Sequence, residues 1–219
     1  AYPYVADKYW IMKTGASMGE GYGPIIVSKK YKTMAELEAN PNAVIAQPGK
    51  LTTANLLLQS WFGHIKSVEA SFDTIIDAVL EDDVDAGLLI HEGQITWQEY
   101  GLNKLTDFGT IWEEKTGGLP LPLGLDCVRK DLGEEMARTV SQALRDSIKA
   151  AYDNEEASVE YALQWGRGID AETGARFVKM YVNDVTIDMG ERGKKALEYL
   201  FRLGAEAGII PEVKSIELY

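Results

Sequence analysis

Short apolar runs alternate with stretches of helical periodicity through the first half of the chain. Four of the apolar runs have the length of β-strands and are bounded by turn residues. They are residues 24–28, 43–47, 65–70 and 84–90. The last of them has almost no polar alternation, which is typical of a strand covered on both faces.

Helices are predicted between these strands. Thr33 and Glu36 have the spacing of a capping box and open a short helix, and a second helix is predicted over residues 52–62. Ser71 is predicted to cap a third helix, in which Phe72 begins a series of apolar positions at helical spacing. Strands and helices that alternate in this order predict a largely parallel sheet with right-handed crossovers.

The pattern becomes mainly helical after residue 131. A last strand is predicted over residues 123–129, and the apolar residues beyond it recur three or four positions apart. The sequence therefore predicts an α/β protein whose C-terminal part is helical.

The composition narrows the possible partners. The chain has 219 residues, of which 46% are hydrophobic, so it can bury a core without disulfides or metals. Its formal net charge is −12. Because nucleic acids and anionic membranes both attract cationic faces, neither is expected as a partner. The single cysteine, Cys127, excludes an intrachain disulfide and fits a reducing compartment.

The most informative polar residue is His91, which follows the strand predicted at 84–90. In open α/β sheets, ligands bind beyond the carboxyl ends of the strands. An imidazole placed there can take or give a proton near neutral pH, so His91 is a candidate general base. A histidine bonded to Glu92 or to a loop carbonyl is the other interpretation, and position alone leaves both open.

A metal site is not expected. His91 and Glu92 begin an HExxH pattern, but Ile95 stands where the second histidine would be. The other histidine, His64, is interpreted as structural, so the chain has too few soft ligands for zinc.

A second candidate site lies at the start of the helix predicted over residues 52–62. A Pro-Gly turn precedes the pair Thr52 and Thr53, and Ala54 follows it. Backbone N–H groups and a threonine hydroxyl at a helix N-terminus can bind a carboxylate or a phosphate. An ordinary N-cap is the simpler interpretation of the same residues. The spacing does not match a P-loop.

Two other features are interpreted as structural. The glycine-rich segment 19–23 is followed by a strand rather than by the helix that a dinucleotide site needs, so a tight or mobile loop is expected. Trp97, Tyr100 and Trp112 could form the wall of an aromatic pocket, but core packing is the more frequent use of such residues.

Four segments in register carry a family resemblance. They are residues 48–54 (PGKLTTA), 85–93 (DAGLLIHEG), 119–124 (LPLPLG) and 181–184 (YVND). In order and spacing they resemble the 1,4-dihydroxy-6-naphthoate synthase family, which belongs to the futalosine route of menaquinone biosynthesis. The resemblance extends from about residue 7 to the C-terminus.

This resemblance implies a two-lobed fold similar to the type 2 periplasmic binding proteins, with the ligand cleft between the lobes. Residues 27–119 are expected to form lobe II, and residues 1–26 and 120–219 are expected to form lobe I. The family's N-terminal strand–helix region, with its SPCPNDT-like segment, has no match here. Lobe I is therefore expected to lack its opening strands.

The resemblance also implies an activity. The family member is a carbon–carbon lyase that converts cyclic dehypoxanthine futalosine into 1,4-dihydroxy-6-naphthoate and releases a sugar-derived fragment. Its general base falls on His91, and its ligand-contacting pair falls on Thr53 and Ala54. We expect a cytoplasmic monomer that needs no metal or organic cofactor.

Two other functions stay open from the sequence. The chain could be a non-catalytic solute-binding protein for a small carboxylate, which would tolerate the loss of His91. It could also be the chorismate dehydratase of the same pathway, which shares the fold. The segment 119–124 and the surroundings of His91 favour the naphthoate synthase.

Overall fold

The chain divides into two structural units in a computed structural model that describes residues 1–91, 93–164 and 171–219. Unit 1 consists of Ala1, Glu20–Leu121 and Arg202–Pro211. Unit 2 consists of Tyr2–Gly19, Pro122–Phe201 and Glu212–Tyr219. The assignment of residues 27–119 to lobe II and of residues 1–26 and 120–219 to lobe I stays a prediction from the sequence.

The strands are short and the longer helices lie in the C-terminal half. The strands are β1 Tyr9–Ile11, β2 Ser17–Gly19, β3 Ile25–Ser28, β4 Val44–Gln47, β5 Lys66–Glu69, β6 Ala86–Leu89, β7 Asn103–Asp107, β8 Leu121–Gly124 and β9 Cys127–Arg129. The helices are α1 Met34–Glu38, α2 Thr53–Phe62, α3 Ile75–Leu80, α4 Gly93–Thr96, α5 Phe108–Thr116, α6 Glu134–Asp153, α7 Glu155–Leu163, α8 Ala171–Tyr181, α9 Asp184–Ile187 and α10 Gly190–Glu206. No helix in the described ranges is long and apolar enough to cross a membrane.

Unit 1 is built on a five-stranded sheet in the order β5-β4-β6-β3-β7. β4 pairs in parallel with β5 and β6, whereas β3 pairs antiparallel with both β6 and β7. The prediction of a largely parallel sheet is therefore wrong for β3. Its direction is set by pairing with strands that come some 60 residues or more later in the chain, which local periodicity does not report.

The sheet of unit 1 is covered on both faces, as the apolar run at 84–90 predicts, because all four residues of β6 are buried. Gly87 lets α3 pack closely on one face, since an added Cβ would lie 2.5 Å from Cγ2 of Ile75. Leu89 and Val79 belong to the apolar core on that side. Helices α2 and α5 of unit 1 also meet, because the ring of Phe108 at the start of α5 contacts the rings of Trp61 and Phe62 at the end of α2.

Two predicted elements begin or divide differently from the sequence pattern. Helix α3 begins at Ile75, after a turn in which the N–H of Thr74 donates to the carbonyl of Ser71 at 2.9 Å. Ser71 is therefore not its N-cap. The strand predicted over 123–129 is divided into β8 and β9. The helix at Thr33 is confirmed, since Thr33 Oγ1 accepts the N–H of Glu36 at 3.2 Å.

Unit 2 combines two small sheets with the C-terminal helices. β1 pairs antiparallel with β9, and β2 pairs with β8. The long helix α6 buries Ala137 in a small core with Met12 and Val128. Near the C-terminus, Leu218 forms an isolated parallel β-bridge with Ile11.

Candidate active site at the carboxyl edge of unit 1

The first part of the site is the start of α2. Thr52 has an extended backbone, with φ −84° and ψ 153°, and its Oγ1 accepts the N–H of Asn55 at 3.1 Å. The same hydroxyl donates to the carbonyl of Gly49 at 2.7 Å. This N-cap is the one that the sequence predicts, and it holds the turn after β4 against the first turn of the helix.

The next two N–H groups of α2 are available to a ligand. Within the part of the chain that the structure describes, the N–H groups of Thr53 and Ala54 form no hydrogen bond. Ala54 is buried and Thr53 is partly exposed. Because the first N–H groups of a helix carry its positive dipole end, this arrangement can bind a carboxylate or a phosphate.

His91 lies two residues beyond the end of β6, where the sequence predicts it. Its side chain is exposed, and its carbonyl accepts the N–H of Gln94 at 3.1 Å. Its φ of 61° lies in the left-handed region, which costs a non-glycine residue roughly 1–2 kcal/mol. Strained backbone of this kind is concentrated at functional sites, so this conformation supports a functional role for the residue.

An aromatic ring packs on the imidazole. The ring centroids of Phe72 and His91 are 4.6 Å apart, with an interplanar angle of 54°. The sequence pattern places Phe72 on the apolar face of a helix and does not predict this contact. The signal that could have found it is position, because Phe72 follows the end of β5 as His91 follows the end of β6.

These residues share one edge of the sheet. β4, β5 and β6 run in the same direction, with Ala46 opposite both Val68 and Gly87. Their carboxyl ends and the residues that follow them are termed the carboxyl edge. The start of α2 follows β4, which lies between β5 and β6, and the ring contact joins the loops that follow those two strands. The structure thus brings the two sequence-predicted sites to neighbouring strand ends.

The glycine-rich segment 19–23 also reaches this edge. A Cβ added to Gly109, the second residue of α5, would lie 2.1 Å from the carbonyl carbon of Tyr22. One added to Gly23 would lie 2.7 Å from the backbone nitrogen of Gly109. The end of the segment is therefore packed tightly against the start of α5, which agrees with the interpretation as a tight loop.

Three of the other candidate residues have contacts typical of structural residues. His64 follows the far end of α2, is exposed, and has its Nε2 3.1 Å from a carboxylate oxygen of Glu38. Trp112 is buried, and its Nε1 donates to the carbonyl of Leu119 at 2.9 Å. Trp97 packs against the core of unit 1, whereas Tyr100 is exposed. The tryptophans are therefore core residues.

Charged groups do not form a metal centre in the described ranges. No group of three or more His, Cys, Asp or Glu side chains there is arranged to hold a metal ion. Glu92, the predicted partner of His91, lies outside the described residues. The arrangement at the carboxyl edge offers hydrogen-bond donors for an anion and an imidazole for proton transfer.

Structures of solute-binding proteins share this architecture. A ligand-binding component of an ABC-type import system from Staphylococcus aureus superposes with a TM-score of 0.66 at 15% identity, over 96% of this chain and 72% of that one. The alkanesulfonate-binding protein SsuA from Xanthomonas axonopodis pv. citri has a TM-score of 0.64 at 13% identity, over 93% and 70%. The class is therefore α/β with a periplasmic-binding-protein-like fold, as predicted, and at these identities the likeness shows the fold alone.

Closer relatives identify the family. Residues 1–206 match the family model described as menaquinone biosynthesis, and the chain belongs to that family. It is 36% identical over 209 residues to a 1,4-dihydroxy-6-naphthoate synthase from Thermus thermophilus, covering 95% of this chain and 75% of the relative. A relative of the same name from Streptomyces coelicolor is 36% identical over 215 residues, covering 95% and 74%.

A solved structure from Archaeoglobus fulgidus agrees with this assignment in fold. It is 44% identical, with a TM-score of 0.88 over 95% of this chain and 76% of that one. The family resemblance read from the sequence is confirmed, and so is the expectation of an enzyme, because the curated relatives are named as synthases.

Proposed function

We propose that the chain is a carbon–carbon lyase that converts cyclic dehypoxanthine futalosine into 1,4-dihydroxy-6-naphthoate. The names of its relatives support this product. The observation that carries the proposal is at the carboxyl edge, where His91 and the open N–H groups of Thr53 and Ala54 follow neighbouring parallel strands.

The N-terminus of α2 binds the carboxylate of the substrate in this proposal. The N–H groups of Thr53 and Ala54 donate to its oxygens, and the Thr52 cap keeps the helix start in place. A negative charge at a helix N-terminus is stabilised by about 0.3–1 kcal/mol, and by more where the site is partly buried.

His91 acts as the general base. Its imidazole removes a proton from the cyclic substrate, and the electron pair of that bond forms a double bond in the ring system as the carbon–carbon bond to the sugar-derived fragment breaks. The fragment leaves with the electron pair of the broken bond and takes up a proton from the imidazolium. The second ring becomes aromatic, which supplies driving force, so a base of modest strength suffices. This proton transfer needs neither a metal nor an organic cofactor.

The test uses the two histidines of the chain as a matched pair. The purified protein is incubated with cyclic dehypoxanthine futalosine, and 1,4-dihydroxy-6-naphthoate is measured by mass spectrometry. We expect His91→Gln to lower kcat by about 10²–10⁴-fold, the usual contribution of a general base. His64→Gln, at the far end of α2, should leave kcat unchanged.

Two outcomes would contradict the proposal. If His91→Gln turned over the substrate nearly as fast as the unaltered protein, His91 would not be the general base. Binding of the substrate without any product, by a protein that is folded, would instead point to a solute-binding protein.

A further inference from the structure

A contact between two strand-end loops suggests a residue that acts through His91. The imidazole is exposed and follows the end of a strand. The ring of Phe72 lies 4.6 Å from it, centroid to centroid, and is tilted by 54°, so it limits the orientations that the imidazole can adopt on that side. The two residues come from different loops.

The geometry of the sheet makes the contact informative. β5 and β6 lie on opposite sides of β4, so they are about 10 Å apart, two strand spacings. Rings 4.6 Å apart must therefore reach towards each other from the two flanking loops. The loop between those strand ends is the one that leads from β4 to Thr53.

Phe72 itself is held by a hydrogen-bonded turn. The N–H and the Oγ1 of Thr74 both donate to the carbonyl of Ser71 at 2.9 Å, and the hydroxyl of Ser71 donates to the carboxylate of Asp73. Ile75, directly after this turn, is fully buried in the core of unit 1. These hydrogen bonds connect the turn that carries the aromatic ring to the first, buried residue of α3.

The backbone of His91 is constrained from the other side. Its left-handed φ of 61° and the hydrogen bond from Gln94 to its carbonyl fix the direction of its Cα–Cβ bond. Gly93 is the next described residue. A Cβ added to it would lie 3.4 Å from Cδ1 of Ile76 and 3.5 Å from Cδ1 of Leu89, so its backbone is in close contact with the core of unit 1. Backbone and ring together leave the imidazole a narrow range of orientations.

We infer that Phe72 is a positioning residue for His91, which keeps the imidazole in the orientation that removes the substrate proton. The inference rests on the proposed function. A misplacement of a catalytic group by about 1 Å can cost about 10²-fold in rate. Phe72 does not itself touch the reacting atoms in this assignment, so its loss should change kcat more than KM.

The first measurement does not depend on activity. With two histidines in the chain, protein labelled with ¹³C at the histidine Cε1 gives one Hε1–Cε1 signal from each imidazole, and His64→Gln assigns the two signals. In the unaltered protein the His91 signal carries a ring-current shift from Phe72. We expect Phe72→Leu to abolish that shift and to leave the His64 signal in place, whereas Phe72→Tyr, which keeps the ring, retains it.

The second measurement is steady-state turnover of the same variants. Phe72→Leu should lower kcat about tenfold with KM changed less than about twofold, and Phe72→Tyr should restore kcat. An unchanged His91 signal in Phe72→Leu would overturn the contact. A lost ring-current shift with unchanged kcat, or an equal loss in Phe72→Tyr, would overturn the positioning role. Full turnover by His91→Gln would overturn the proposed function while leaving the contact measurable.

Discussion

Thr52 and Asn55 form a hydrogen bond of 3.1 Å across the first turn of α2, from the backbone N–H of Asn55 to Oγ1 of Thr52. This bond satisfies the third N–H of the helix with the protein's own hydroxyl. The N–H groups of Thr53 and Ala54 have no such partner in the described structure. The N-cap Thr52 and the two open N–H donors are therefore adjacent in the chain. Substitutions can change substrate binding through the donors without changing the stability that the cap provides.

Thr53→Pro removes one of the open donors without breaking the helix. Thr53 is the first residue of α2, where proline is tolerated, and Thr52 already has the extended backbone that a following proline requires. We expect the substrate KM to rise several-fold while the free energy of unfolding stays within about 0.5 kcal/mol. Thr53→Ala keeps the N–H and is the control; an equal rise of KM in that variant would assign binding to the hydroxyl instead.

Gly109→Ala should be strongly destabilising. The added Cβ would lie 2.1 Å from the carbonyl carbon of Tyr22 and 2.5 Å from the nitrogen of Gly23, and backbone atoms cannot move aside cheaply. We expect a loss of about 3 kcal/mol or more, measured by urea unfolding. Gly101→Ala is the comparison, because it has open space but a φ of 66°, and should cost about 1 kcal/mol. Equal losses would mean that the loop at Tyr22 relaxes.

Ser28 and Ser60 provide a paired test of buried hydroxyls in unit 1. Ser28 Oγ donates to the carbonyl of Asp85 at 2.6 Å and accepts the N–H groups of Lys30 and Tyr31, each at 3.2 Å. Ser28→Ala should therefore lower the free energy of unfolding by about 2 kcal/mol. The buried Oγ of Ser60 has no hydrogen-bond partner among the described residues, so Ser60→Ala should be neutral or stabilising. A loss in Ser60→Ala as large as that in Ser28→Ala would contradict this assignment.

Cys127 predicts a dependence of stability on pH. Burial, and next the carboxylate of Asp126, raise the pKa of its thiol from 9.0 to about 11. Because the folded state favours the protonated thiol, its contribution to stability is complete below pH 9.0 and is lost as the pH rises towards about 11. We expect the difference in unfolding free energy between the unaltered protein and Cys127→Ala to narrow over that range. A difference that is constant in urea titrations from neutral pH to pH 11 would show that the thiol is not perturbed.

The candidate site was accessible from the sequence to the extent that it depends on strand ends and helix starts. His91 follows an apolar run that is typical of a buried strand, and Thr52 precedes a helical pattern as a hydroxyl-bearing cap. The strand is inferred from an unbroken apolar run and the helix from a period of about 3.6 residues, and the structure has both elements. The roles of His91, Thr53 and Ala54 come from the family resemblance and are tested by the variants above.

Periodicity and turn chemistry by themselves determined the approximate positions of β3 to β6 and of the helices between them, because each residue's neighbours in the chain decide which backbone conformation buries its apolar side chains. They did not indicate β7 or α5 of the same unit. Only the tertiary structure decided that β3 runs against β6 and β7, and that Phe72 packs on His91. Strand direction and the ring contact both join residues far apart in the chain, so they depend on long-range pairing in the folded sheet, for which a local pattern contains no signal.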